Sequence, residues 1–534
     1  MPPYTHIIIG AGSAGCVLAN RIASNPAFNV LLLEAGPDYH KNASVPASIR
    51  DNRRVPMQGQ SEHFSPSIDW NVAVQIGAGD EKGVMQLPQA KVVGGGSSIN
   101  GGTALRSTEL DSKEWVALGN EAWDFESCRR VYESLEDDEV RGTRGPHPIR
   151  RATEDEMGRI QKAFVAGAKE VGMRWCADLN ETGAEGVGAS PVTRRGWQRI
   201  SAANTFVDPI RGWRNFTIRS EAMVDRILFE ETEGKPPRAT GVLLVGGETV
   251  RCSGEVLVSA GAIFSPAILQ RSGIGPAALL QKYDIPQIVD LPVGHNGSDH
   301  PCVPLVAKPR PGAYEEGDYS LQTQARFSSS LQPGAIDHQI VCFSYLFAQA
   351  PDPRVQARTL SGSATGHVAG IGCNLNKPTA LGVTEIVSRD PLVQPRVAPN
   401  YLGTEHDRKS FREIVRTAYK VFMSEPFQRC VEAPIDLTDE VVADDGLLDK
   451  YVDGHCTTTY HFCSTCRMAS REKGGVVDQS GRVYGVEGLR VADASVLPTV
   501  PASNTMWATM MFADRIGRSV RDGVDVKTSS GARL

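Results

Sequence analysis

Residues 4–36, YTHIIIGAGSAGCVLANRIASNPAFNVLLLEAG, decide the fold. Thr5, His6, Ile7, Ile8 and Ile9 make a short apolar run of the kind expected for a buried parallel strand. Gly10, Gly12 and Gly15 follow at G-x-G-x-x-G spacing. Residues 13–23 then carry the small and apolar side chains of a helix, ended near Asn25-Pro26 because proline cannot continue it. Residues 28–33 read as a second strand with Glu34 at its end. In such a unit Gly10 permits the tight turn, Gly12 lets backbone approach a pyrophosphate, and Gly15 lets helix and strand pack closely. Ser13 and Ala14 open the helix, whose free N–H groups and positive dipole end would face the phosphates. Glu34 stands where an acid would bind ribose hydroxyls. A glycine pattern alone marks only a tight turn; strand, turn, helix, strand and acid in order predict a dinucleotide cradle.

Composition narrows the class around that cradle. The 534 residues suffice for two or three domains of core, and 41% hydrophobic with 22% charged residues is an ordinary soluble balance. A net charge of -6 with both signs interspersed argues against nucleic acid or an anionic membrane as partner. No apolar run approaches the roughly 20 residues of a membrane span. The chain enters its first strand within a few residues, leaving no room for a secretory signal. Eleven scattered cysteines, an odd number, argue against a disulfide framework. The expectation is a reduced, intracellular protein that is not secreted. Its last residues, Ala532-Arg533-Leu534, loosely resemble a peroxisomal address on a flexible tail, so the compartment is cytoplasmic or peroxisomal.

Further along, residues 36–69 read as a surface excursion. The segment 91–106, KVVGGGSSINGGTALR, carries five glycines in nine positions (Gly94, Gly95, Gly96, Gly101, Gly102), which implies backbone pressed against something bulky. Residues 108–139 look helical, anchored by Trp115, Trp123 and Leu135, and 154–171 look helical again. From 215 to 250 the pattern is strand-like, with Gly246-Gly247 as a hairpin turn. Residues 261–275, GAIFSPAILQRSGIG, read as a strand end, a tight turn and a helix closed by glycine. From 302 to 450 alternating stretches such as 337–347, DHQIVCFSYLF, predict antiparallel strands with one buried face. The fold expected is α/β. A Rossmann-like domain of 1–155, 195–301 and 457–534 would bind the dinucleotide. A substrate domain of 156–194 and 302–456 would be built on an antiparallel sheet with helices.

Two dense clusters remain, 460–468, YHFCSTCRM, and 501–509, PASNTMWAT. His461 is the natural proton acceptor, because imidazole titrates near neutrality. Asn504 has a short amide able to donate to or accept from a substrate oxygen, and it stands just ahead of a helix start. Cys463 and Cys466 spell C-x-x-C near His455 and Cys456, which raises a dithiol or zinc site. A structural zinc would need a second paired set, which does not occur, so these cysteines are read as packing residues and no metal is expected.

The four stretches GAGSAG with LLLEAG, GGGSSINGGT, GAIFSPAILQRSGIG and VVDQSGRVYGVEGLRVADASVLPTVPASNT, in this order, resemble the glucose–methanol–choline (GMC) oxidoreductases. These are FAD-dependent alcohol oxidases and dehydrogenases, and the likeness, running from residue 4 to about 518, is to the aryl-alcohol and hydroxymethylfurfural oxidase and choline dehydrogenase-like branch. The resemblance implies that Val93, Ser97, Asn100, Gly101 and Thr103 line the flavin and its diphosphate. Val224 would meet the adenine through its backbone, Asp493 and Ala494 would lie near the diphosphate and ribityl chain, and Thr505 and Met506 beside the pyrimidine end. With Gly10, Gly12, Ser13, Ala14, Gly15, Glu34, Ala35 and Tyr460 these complete the expected cofactor set. His461 matches the family's catalytic histidine, and Asn504 stands for its usual His or Asn partner.

Some members link the flavin covalently through a histidine just before the asparagine of the first signature. Ile99 occupies that position here, so dissociable, non-covalent FAD is expected. The activity implied is oxidation of a primary alcohol to an aldehyde, by hydride transfer to flavin N5 with His461 as base and O2 or another acceptor completing the turnover. Phe343, Tyr345 and Phe347 alternate along one predicted strand, and Phe462 and Trp507 flank the pair, which suits an aryl or apolar alcohol. The alternatives are a lyase, cyclase or photodecarboxylase on the same fold, a nicotinamide dehydrogenase, and a non-catalytic binding module.

Overall fold

A computed structural model describes residues 4–40, 45–53, 67–76, 83–315, 317–347 and 367–527. The C-terminal tripeptide and part of the 36–69 excursion lie outside the described residues. The first sheet grows from β1 (Tyr4–Ile9), whose Ile7, Ile8 and Ile9 are buried. After α1 (Ser13–Ala23), β2 (Val30–Leu33) pairs parallel with β1, and β3 (Phe216–Arg219) pairs parallel with β2. Burial on both faces is why Ile7–Ile9 and the whole of β2 are apolar without alternation, whereas β3, at the edge of the sheet, alternates less and more exposed side chains. β4 (Val224–Glu230), β5 (Arg238–Leu244) and β6 (Thr249–Val258) form an antiparallel meander. The second half of β6 leaves that meander and pairs parallel with β1 on one side and with the short strand Leu489–Val491 on the other. α2 (Gly261–Arg271) follows directly.

The second sheet is antiparallel and carries β7 (Pro301–Ala307), β8 (Leu321–Phe327), β9 (His338–Phe347) and β10 (His367–Leu375). Its order is Thr457–Thr458, β7, β10, β9, β8 and Gly186–Ala189. Side chains alternate across it, as the two-residue period requires. Val303, Leu305, Ile340, Cys342, Ile371 and Cys373 enter a core with Phe411, Ile414, Val415 and Ala418 of α3 (Glu405–Phe422) and with the helix Arg159–Glu170. Pro304, Val306, Val341, Phe343 and Asn374 point to the other face and roof a cavity. The chain then returns to the first core with α4 (Thr505–Asp522), which packs along α1. Gly517 allows that approach, since a Cβ there would lie 3.0 Å from the Arg21 Cβ, and Arg21 Nε donates to Asp514 at 2.5 Å.

The architecture is the α/β class expected. The strands Val72–Ile76 and Gly83–Leu87, inside the expected 1–155 segment, join Arg396–Ala398 and Val383–Glu385 in a four-stranded sheet. Their Val72, Val74, Ile76, Met85 and Leu87 belong to the second core. Trp115 and Leu135 are buried anchors on two helices (Glu109–Ala117 and Phe125–Leu135), and Trp123 is a buried anchor on the short turn, Glu121–Trp123, that lies between them.

Candidate active site

A cavity of about 450 Å³ runs from the glycine turn after β1, past the ends of β2 and β6, to the roof formed by the second sheet. At its start the chain is shaped by contact. A Cβ on Gly15 would stand 1.9 Å from the Gly10 carbonyl oxygen, so only glycine lets α1 close on β1. Gly12 differs: a Cβ there would meet nothing nearer than 4.0 Å, and its backbone is extended (φ −73, ψ −167). The space it leaves belongs to the cavity. No side chain caps α1, so its first N–H groups remain for a ligand, the arrangement that suits a diphosphate. At the end of β2 the Glu34 carboxylate accepts from Ala11 N and Gly36 N, each at 2.9 Å, which fixes it at the cavity wall. Burial pushes its pKa up.

Most of the expected cofactor set lines this one cavity: Gly10, Gly12, Ser13, Ala14, Glu34, Ala35, Asn100, Gly101, Thr103, Val224, Tyr460, Asp493, Ala494, Thr505 and Met506. Gly15, Val93 and Ser97 are not among the lining residues. Gly15 acts in packing, Val93 is buried in the first core, and Ser97 Oγ donates to Gly94 O while accepting from Ala202 N. The Asp493 carboxylate accepts from Gly261 N (2.8 Å), Ser265 Oγ (2.5 Å), Ser495 N (2.7 Å) and Ser495 Oγ (2.5 Å). It thereby ties the start of α2 to the turn that follows Leu489–Val491. Asn100 Nδ2 donates to the Met506 sulfur at 3.0 Å, joining the glycine-rich segment to α4.

At the other end of the cavity stand His461 and Asn504, with Asn504 Nδ2 3.2 Å from His461 Nε2. The hydrogen-bond chain behind them fixes the proton positions. His300 is fully buried and its Nε2 lies 2.9 Å from the Pro501 carbonyl oxygen, which can only accept. His300 Nε2 therefore carries the proton. Burial lowers the His300 pKa to about 3, so its Nδ1 is a bare lone pair. That atom is 2.8 Å from His461 Nδ1, which must donate to it. Thr459 Oγ1, itself donating to His300 O, also lies 2.8 Å from His461 Nδ1. The lone pair of His461 is thus on Nε2, beside the Asn504 amide. Burial, then the neighbouring His300, hold the His461 pKa well below its ordinary value, so the ring is neutral. A neutral imidazole with an exposed lone pair next to an amide donor can take an alcohol proton while the amide holds the oxygen.

Sequence reading missed the frame behind this pair. Asp299 Oδ1 accepts from His300 N (2.8 Å) and His461 N (2.7 Å), and Oδ2 accepts from Tyr401 Oη and Thr458 Oγ1. One carboxylate clamps the backbones of both histidines. Tyr460, with φ +64, makes the turn that presents His461. The loop carrying Pro501 and Asn504 is held by three buried charges. Lys377 Nζ donates to Val500 O (2.8 Å) and to Asp111 and Glu114, Asp111 accepts from Ala502 N (2.9 Å), and Arg326 Nη2 donates to Ala502 O (2.7 Å). The Asp299-His300 pair just before β7 was the available signal.

Other expectations resolve by burial. Phe462 lines the cavity, whereas Trp507 is buried beneath it, its ring 5.4 Å from that of His147. Phe343 lines the cavity but Tyr345 does not, because the pairing of β9 with β10 shifts register between Phe343 and Leu346 and brings Leu346 to the wall instead. The Phe347 side chain lies outside the described residues. Cys463 and Cys466 are buried in the first core, and burial pushes the Cys463 thiol up to about 12.

Comparison with known proteins gives this geometry its relatives. The N-terminal GMC oxidoreductase family domain matches residues 4–302 and the C-terminal GMC oxidoreductase domain matches 378–513. The oxygen-dependent choline dehydrogenase of Vibrio vulnificus (strain YJ016) is 32% identical over 540 residues, covering 96% of this chain and 93% of its own. The 5-(hydroxymethyl)furfural oxidase of Methylovorus sp. (strain MP688) is 31% identical over 548 residues, covering 97% and 98%. The fold also matches pyridoxine 4-oxidase from Mesorbium loti, with a TM-score of 0.83 at 24% identity over 97% of this chain and 99% of that one. Sequence motifs, open cradle and relatives converge: the chain belongs to the GMC oxidoreductase family, and is a FAD-dependent enzyme acting on the CH–OH group of an alcohol.

Proposed function

We propose that the protein oxidises a primary aryl or otherwise apolar alcohol to its aldehyde, with His461 as the base and Asn504 as the partner that holds the alcohol oxygen. The observation that supports this most is the neutral His461 whose lone pair on Nε2 stands beside Asn504 at the cavity. The FAD-binding residues are read as Gly10, Gly12, Ser13, Ala14, Glu34, Ala35, Asn100, Gly101, Thr103, Val224, Tyr460, Asp493, Ala494, Thr505 and Met506. When bound, FAD supplies the acceptor for the two electrons of the carbinol. Ile99 leaves no imidazole at the position used for covalent linkage, so the cofactor is read as dissociable.

In this reading the substrate hydroxyl enters between Asn504 Nδ2 and His461 Nε2. His461 takes the hydroxyl proton, and the charge it gains is shared through Nδ1–H with His300 and Thr459. Asn504 donates to the oxygen as it becomes negative. Trp70, Phe264, Phe343 and Phe462 give the substrate end an aromatic wall. The second sheet contributes no carboxylate to the described lining, which speaks against a cationic alcohol such as choline. O2 is the acceptor proposed, in keeping with the names of the relatives. The division into a FAD-binding part (1–155, 195–301, 457–534) and a substrate part (156–194, 302–456) is also proposed, with the strands Val72–Ile76 and Gly83–Leu87 packing on the latter.

The test is an anaerobic panel of alcohols followed through the visible absorbance of bound FAD. Aryl primary alcohols are expected to bleach the flavin, and admission of air to restore it with release of peroxide. A flavin untouched by every alcohol would overturn the reading.

A further inference from the structure

Arg199 stands on a small hairpin in which Gln198–Arg199 pairs with Arg194–Arg195. It is only 4% exposed. Its Nη1 donates to Asn100 O and lies 3.3 Å from Asn100 Oδ1, and its Nε donates to Ile49 O at 3.0 Å. Nη2 is buried and meets no acceptor. Among the described residues the carboxylate whose field reaches Arg199 is Asp51, which is not bonded to it and is held by Arg53 at 2.6 Å. Burial pulls the Arg199 pKa down to about 10, so the group stays charged at neutral pH. A buried cation bonded only to amide oxygens is rare, because desolvation costs more than neutral acceptors return.

Arg199 reaches the cavity through Asn100, which lines it. Asn100 Oδ1 accepts from Gly102 N at 2.9 Å and faces Arg199, so its Nδ2 turns to the Met506 sulfur. Met506 is the second residue of α4, whose N-cap is Asn504. The diphosphate end is marked by Gly95, where a Cβ would stand 2.6 Å from the Gly12 Cα. The guanidinium therefore lies behind the wall at the reacting end. Lys377, also behind that end, is offset by Asp111 and Glu114. Arg326 is bonded to Ala502, which does not line the cavity. In the proposed reaction the hydroxyl proton stays on His461 and the carbinol hydrogen leaves with both electrons, so the flavin gains one negative charge. A fixed cation behind the wall favours that state over the oxidised one, in a medium where charges act more strongly than in water.

We propose that Arg199 sets the redox poise of the bound flavin, its unpaired charge behind Asn100 stabilising the reduced cofactor and so drawing alcohol oxidation forward. The inference rests on the reading above for which end of the cavity holds the ring. The test is the midpoint potential of FAD on the purified protein, measured without oxygen against a reference dye during slow chemical reduction. Arg199→Gln keeps an amide donor and removes the charge, whereas Arg199→Lys keeps the charge and loses the fork of donors. At a fixed potential the Gln variant should lower the ratio of reduced to oxidised flavin by about tenfold or more, which is about 30 mV for a two-electron couple, and the Lys variant by less than about threefold. A Gln variant with the wild-type potential would overturn the proposal. A Lys variant that falls as far as Gln would overturn it too, by making Arg199 a brace for Asn100 and nothing more. Asp51→Asn removes the opposing charge from a half-buried position and leaves Arg199 in place, which keeps the test open if the Arg199 variants do not retain FAD. It should raise the ratio, and no rise would contradict the proposal. Since the dye titration uses no alcohol, a potential insensitive to Arg199 leaves alcohol oxidation standing, and a flavin that no alcohol bleaches overturns the functional reading separately.

Discussion

At the scale of single residues, two glycines of one motif act differently, and substitution separates them. A Cβ on Gly15 would collide with the Gly10 carbonyl at 1.9 Å, whereas one on Gly12 enters open cavity in a backbone any residue adopts. Gly15→Ala is expected to cost roughly 2–4 kcal/mol of stability, read as a lowered melting temperature with or without FAD. Gly12→Val should leave the melting temperature of the apoprotein nearly unchanged and abolish retention of the yellow cofactor on gel filtration. His300 invites a second prediction. It touches neither alcohol nor flavin in this account, but it accepts the Nδ1 proton that keeps the lone pair of His461 on Nε2. His300→Phe should slow flavin reduction by roughly 10- to 100-fold with little change in KM. His300→Gln, which restores an acceptor, should recover part of the loss. An unchanged rate in His300→Phe would remove the tautomer argument.

At the scale of elements, α4 carries a conflict between stability and chemistry. Asn504 occupies its N-cap, yet its side chain makes no capping bond and turns to His461 instead. Asn504→Ser should cap the helix, hold or raise stability by up to about 1 kcal/mol, and slow flavin reduction by alcohols. A fall in stability with unchanged kinetics would contradict this assignment. The same elements show what the sequence could convey. The apolar run of β1, the glycine spacing and the acid after β2 were legible because each is local and each has one physical cause. The alternation of 337–347 correctly announced an antiparallel strand with two different faces. It misplaced Tyr345, because a register shift is a property of the pairing with β10 and leaves no mark in one strand's period. Trp507 was misread for a similar reason: its place beside the pair in sequence becomes, on a helix, the opposite side.

At the scale of the whole molecule, the cavity exists because two cores built from distant segments meet over it, and most of its frame was invisible in the chain. Asp299, Lys377, Asp111 and Arg326 converge on the histidine pair and the 500–504 loop from four separate stretches, contacts that no spacing rule joins. Burial on this scale also sets the response to acid. His147 is fully buried, stacked near Trp507, and burial lowers its pKa to about 3. Its folded pKa lies below the unfolded value near 6.5, so its contribution is present above pH 6.5 and is lost as pH falls towards 3. His147→Phe should therefore lose about 2 kcal/mol less stability than the wild type between pH 7 and pH 5. Equal losses would show that the imidazole is charged in the fold. The central claim is tested most directly by mixing the FAD-loaded protein with an aryl primary alcohol in the absence of oxygen and following the visible flavin absorbance in wild type and His461→Ala. The account predicts rapid bleaching in the wild type and, in the variant, a flavin still bound but reduced roughly 10²- to 10⁴-fold more slowly; equal rates in the two proteins would contradict it.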